Sequence, residues 1–188
     1  MPSFAHPAAT ATLMPGFGPS LMRRMRDYPR VAALAVMVHD ETEGRVRADG
    51  DRASIEYAPN AADRHQLARG ARLAARILLA AGAREVVVPA VPPIVVRRER
   101  DAGEITADRF LPHDAELSAV HPMGTLAMGR DPARSVTDAR GAFHAVRGLW
   151  AVDGSLFPTS IGVPPQISIY AFAAKVASHV REALGGAD

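Results

Sequence analysis

The stretch Gly148-Leu149-Trp150-Ala151-Val152-Asp153-Gly154, the loop Ser155 to Pro164, and Pro165-Gln166 after it decide how this chain reads. The apolar run before Asp153 predicts a short strand. Pro158, Gly162 and Pro164 keep the loop out of regular structure, and Pro165 stands where a helix's first residue belongs. Beyond it Ile169, Ala173, Val176, Val180 and Leu184 recur on one helical face. A strand, an aspartate at its carboxyl end, a loop and a helix N-terminus therefore follow one another. Asp153 can accept hydrogen bonds from ribose or ribityl hydroxyls. The helix offers a positive dipole end and free amides from Gln166 onward, since Pro165 has no N–H.

Just upstream, His121-Pro122-Met123-Gly124-Thr125 combines an imidazole with a fixed proline backbone and a glycine that permits close approach. From the residues alone, function and packing are equal readings of His121. His6, His39, His65 and His179 read as structural. His113-Asp114 with Glu116 lacks a metal-ligand spacing, so no metal is expected. Asp153-Gly154-Ser155 lacks the strand–serine–helix order of a nucleophile elbow, which speaks against a hydrolase built on His121, Asp153 and Ser155.

Further back, Val31 to Val38 predicts a buried strand. Arg45-Val46-Arg47 and Ala53 to Tyr57, joined through Asp49-Gly50-Asp51, extend it to a three-stranded antiparallel meander. Asn60 to Asp63 offers an N-cap for a helix with Leu67, Ala71, Ala74, Leu78 and Ala81 on one face, closed by Gly82. Glu85 to Val88 predicts a strand stopped by prolines, and Arg97 to Asp114 an aperiodic excursion over the surface with the character of a lid. The first residues, MPSFAHPAATATLMPGFGP, read as an irregular surface segment. They carry neither the basic start nor the continuous apolar core of a signal peptide.

The 188 residues contain no Cys, so disulfides, thiolate metal sites and cysteine nucleophiles are excluded and redox chemistry would need a borrowed cofactor. A net charge of +2 is no nucleic-acid signature, and Arg23, Arg24, Arg26 and Arg30 read as a solvated face. No apolar run approaches membrane-span length, so a soluble cytoplasmic protein is the default. Gly16-Phe17-Gly18 opens a dinucleotide-binding pattern, but Leu21 takes the third glycine's place and no strand precedes it.

Taken in order, HPMGTLAMG from His121 and VTDARGAFHAVRGLWAVDGSLFPTSIGVPPQISIYAFAAKVASHV from Val136 resemble the carboxyl-terminal part of glucose-methanol-choline (GMC) flavin oxidoreductases. HDETEGRVRAD and the helix ending LLAAGAREVVVP are similar to that family's substrate-binding domain, so the resemblance runs from about Met22 onward. It implies an α+β fold, an antiparallel sheet with helices, followed by a strand–loop–helix that completes an FAD-binding domain. The implied division is an irregular segment 1–21, a substrate-binding domain 22–120, and an active-site and FAD-completing segment 121–188.

The same resemblance makes His121 the catalytic base beside the flavin and puts Asp153, Gly154, Pro165 and Gln166 at the FAD. It implies oxidation of an alcohol to a carbonyl compound. Two departures stand out. Pro164 occupies the place where the family carries a second active-site His or Asn, leaving Gln166 and Ser168 as substitutes. The family's amino-terminal FAD fingerprint has no counterpart, so an FAD-binding domain is expected in cis or in trans and the isolated chain is expected to be inactive. A non-catalytic assembly remnant of the same fold is the alternative.

Overall fold

The computed structural model describes residues 6–185 and divides the chain into two compact units, Met1–Glu43 with Tyr57–Leu117, and Gly44–Glu56 with Ser118–Asp188. The architecture is α+β, with helices and two small antiparallel sheets.

In the first unit, helix α3 (Ala61–Ala80) starts where the capping residues place it. Asn60 Oδ1 accepts from the Asp63 N–H at 2.9 Å, and Gly82, at φ +96°, follows its end. Its buried line is Ala68, Ala71 and Ala75, with Leu67, Leu78 and Leu79 at the margin. The small side chains let neighbours approach closely. Those neighbours include two 3₁₀ turns, Glu99–Glu104 and Ala107–Phe110, which bury Ala102, Ile105 and Phe110. The excursion expected over the surface is thus part of the core: single apolar residues, spaced without a helical or strand period, anchor it. Strand β3 (Val86–Val88) pairs with β4 (Ile94–Val96), a strand the sequence reading did not foresee because prolines crowd the connection between them.

Two more expectations are corrected here. Val31 to Val38 forms no strand; it lies outside regular secondary structure with Leu34 and Met37 exposed, because no neighbouring strand takes up its backbone groups. The amino-terminal segment is not irregular, since α1 (Pro7–Leu13) and α2 (Gly18–Arg26) lie in it; residues 1–5 are outside the described residues. Pro7 and Pro19 sit in the first turns, where a missing N–H costs nothing.

The second unit contains the hairpin β1 (Arg45–Asp49) and β2 (Arg52–Glu56), closed by the two-residue turn Gly50-Asp51 with Gly50 at φ +61°. The expected meander is therefore a hairpin. The unit also contains α4 (Gln166–Ala183), which begins one residue later than expected, with Pro165 as its N-cap. Gly148 to Val152 makes one bridge, Ala142 to Trp150, rather than a strand. Around it the chain folds as hydrogen-bonded loops over Ala151, Leu156 and Val176.

Candidate functional site

The residues singled out from the sequence for a site, His121, Asp153, Gly154, Pro165 and Gln166, all lie in the second unit. Asp153 caps the 3₁₀ turn Gly154–Leu156: its Oδ1 accepts from the Ser155 N–H at 2.8 Å and from the Ser155 hydroxyl. Gly154 is buried, and a Cβ there would come within 3.2 Å of the Pro122 carbonyl and 3.3 Å of Ile169 Cδ1 on α4. The absence of a side chain lets the Asp153 turn lie close against both the His121-Pro122 loop and the first turn of α4.

Two backbone bonds hold the arrangement, Leu126 N–H to Ser155 O at 3.0 Å and Met128 N–H to Leu156 O at 2.9 Å. Gly124, at φ +87°, turns the chain from His121 into that pairing. Phe157, buried, packs edge-on to Phe172 of α4 with ring centres 4.9 Å apart. His121 and Asp153 are both exposed.

Pro165 is buried at the helix start, and its carbonyl accepts from the Ile169 N–H at 2.9 Å. The amides of Gln166, Ile167 and Ser168 have no partner among the described residues, as the first turn of a helix requires. Gln166 is exposed, and its Nε2 donates to the Tyr170 hydroxyl at 2.6 Å. Ile167 and Tyr170 are also exposed, at 84% and 62%.

Several supports were missed by sequence reasoning. Thr137, wholly buried, donates its hydroxyl to Leu126 O at 3.0 Å and holds the loop after His121 from behind. Asp138 Oδ1 accepts from the N–H groups of Arg140 and Ala142, and Arg140 pairs with Glu182 near the end of α4. The Asp138 to Gly141 spacing is a turn signal legible in sequence; the Thr137 contact is not. His179 is structural, as expected, buried with Nδ1 3.4 Å from Arg140 O. Among the described residues no three His, Asp or Glu gather in a way that could hold a metal ion, and no helix is long and apolar enough to cross a membrane.

The family model of GMC oxidoreductases matches residues 40–173, a range that contains this turn and most of α4. The chain belongs to the GMC oxidoreductase family. It is 33% identical over 173 residues to an uncharacterized GMC-type oxidoreductase of Mycobacterium tuberculosis, covering 91% of this chain and 27% of that protein. A long-chain-alcohol oxidase of Arabidopsis thaliana is 30% identical over 192 residues, with 95% and 25% covered. Pyridoxine 4-oxidase from Mesorbium loti superposes with a TM-score of 0.49 at 23% identity, over 80% of this chain and 29% of that one. The chain thus spans about a quarter of the length of the relatives it matches.

Proposed function

We propose that this chain is the carboxyl-terminal part of an FAD-dependent oxidoreductase that oxidises the CH–OH group of a small-molecule alcohol, with His121 as the base. The observation that carries the reading is the meeting of the His121-Pro122 loop, the Asp153-Gly154 turn and the open end of α4 around Gly154, in a member of the GMC family. Residues 22–120 would then form the substrate-binding portion and 121–188 the active-site portion.

The donor set fits part of an FAD site. Asp153 Oδ2 is free of protein partners among the described residues and suits a hydroxyl donor, and the Gln166, Ile167 and Ser168 amides suit a group carrying negative charge. The remainder of the site belongs to an FAD-binding domain supplied in cis or in trans. Bound FAD supplies a two-electron acceptor for the hydride from the alcohol carbon.

His121 takes the hydroxyl proton as that hydride leaves, so both hydrogens of the oxidised group are accounted for. The positive end of α4 stabilises developing negative charge without moving any group. Pro164 can neither donate nor accept a proton, and the task of a second polar group falls to Gln166 or Ser168. Gln166 is the better placed for accepting, because Tyr170 fixes its amide nitrogen. Without the FAD-binding domain the isolated chain is inactive.

In the complete enzyme, His121→Ala lowers turnover by roughly 10²-fold or more while flavin content stays at the wild-type level. Unchanged turnover would remove His121 from the role of base. Pro164 also favours a second reading, a non-catalytic assembly module; reduction of bound flavin by an alcohol in the complete protein decides against it.

A further inference from the structure

Tyr170 stands one turn into α4, and a long helical side chain leans back over the turn before its own Cα. Its hydroxyl therefore returns to the level of the first turn, where it accepts from Gln166 Nε2 at 2.6 Å. That bond engages the oxygen and leaves the phenolic proton: the Tyr170 O–H has no acceptor among the described residues. Tyr57, by contrast, commits its proton to Asp40 at 2.8 Å. Gln166 suits the holding role, because an amide NH₂ donates and cannot take the phenolic proton, as a carboxylate at this position would.

The pair stands where the proposed chemistry converges. The unpartnered amides of Gln166, Ile167 and Ser168 open at the same end of α4. Ile169, next to Tyr170 in the chain, lies against Gly154, and Gly154 lies against the Pro122 carbonyl, one residue from His121. In the oxidation proposed above, the substrate oxygen gains negative charge as its proton passes to His121 and before the hydride has left the carbon. A base cannot stabilise that charge; a fixed hydrogen-bond donor can.

We infer that Tyr170 is a further catalytic residue, whose hydroxyl donates a hydrogen bond to the oxygen of the alcohol, and that Gln166 is its positioning residue. The inference rests on the function proposed above. The hydroxyl proton goes to His121, the carbon gives up hydride, the C=O double bond forms, and the phenol keeps its own proton throughout.

Rapid-mixing measurement of flavin reduction in the flavin-loaded assembly, whether one polypeptide or two, tests this. Butanol, octanol, dodecanol and benzyl alcohol serve as probes, and the fastest is carried forward. Tyr170→Phe removes the donor and should lower the limiting rate at saturating alcohol at least tenfold, with a smaller change in apparent Kd. Gln166→Glu keeps an acceptor and a hydrogen bond to Tyr170 but captures the phenolic proton, so the limiting rate should fall to a similar extent. Both losses have one cause, so the double variant should be no slower than the slower single one. Flavin content and melting temperature should stay at the wild-type level in all three, because both side chains are exposed.

A wild-type limiting rate in Tyr170→Phe overturns the inference and leaves the functional reading standing. So does a rate loss matched by an equal loss of bound flavin, which makes the pair structural. Losses that multiply in the double variant overturn it as well, because Gln166 and Tyr170 then act separately. An assembly whose flavin none of the four alcohols reduces sinks the functional reading and this inference with it.

Discussion

Asp63 shows how one side chain can organise a segment. It is 2% exposed and serves as the third residue of α3, yet its carboxylate faces back to accept from the Thr42 hydroxyl and from the Glu41 and Thr42 amides. Burial is the largest single influence and would raise its pKa. The hydrogen bonds from Thr42, Glu41 and Asn60 together outweigh it and leave the group below the ordinary carboxylate value. A pKa lowered by folding means that Asp63 contributes its full stabilisation above the unfolded-state value near 4 and loses it as pH falls through the lower folded one. Asp63→Asn should therefore lower stability at pH 7 by about 1–3 kcal/mol and flatten the acid limb of the stability profile. Urea unfolding at pH 7 and pH 3 measures both effects; an equal loss at the two pH values would exclude the charged carboxylate as the cause. Tyr57 is bound into the same segment, donating to Asp40 at 2.8 Å, and burial and that carboxylate push its own pKa up.

Among the elements, α4 depends most on what lies against it. Its apolar spacing predicted the helix, but its position is set by loop residues. Gly141, at φ +78°, would place a Cβ 2.9 Å from both Ala151 O and Val176. Near the helix end, Arg140 pairs with Glu182, holding that exposed carboxyl below its ordinary pKa, and the Arg140 carbonyl meets His179. The exposed ion pair contributes little by itself, whereas Gly141 has no substitute. Gly141→Ala should cost about 2–4 kcal/mol, from left-handed backbone and overpacking combined. Chemical denaturation of the 188-residue chain, followed through Trp150 fluorescence, reads the change. A variant within 0.5 kcal/mol of wild type would show that the loop moves aside freely.

For the molecule, the two units are unequal in core. Among the described residues, the first buries eleven apolar side chains around α3, β3, β4 and the 3₁₀ turns; the second buries Ala151, Leu156, Phe157 and Val176, with partly covered neighbours around them. Since burial of apolar area is the main stabilising term, the second unit should open first. Limited proteolysis of the isolated chain should cut within 118–185 before it cuts within 61–110. The rates should draw together in the flavin-loaded assembly if that unit is completed by the FAD-binding domain. First cleavage inside α3 would contradict this order.

Much of this was legible in the chain itself. Capping chemistry, periodicity and glycine position are local, so α3 with Asn60 and Gly82, the Gly50-Asp51 turn and the Pro165 entry to α4 could be read directly, as could the motif order that marks the GMC family. Pairing is not local. Whether VAALAVMV becomes a strand depends on a neighbour elsewhere, and β4 and the buried 3₁₀ turns depend on α3 presenting alanines. The sequence alone determined which residues to suspect at the site, His121, Asp153, Gly154, Pro165 and Gln166. Only the tertiary structure decided that Gly154 is the point where the Pro122 carbonyl, the Asp153 turn and Ile169 of α4 come together, because close approach is a property of folded surfaces and carries no signature along the chain.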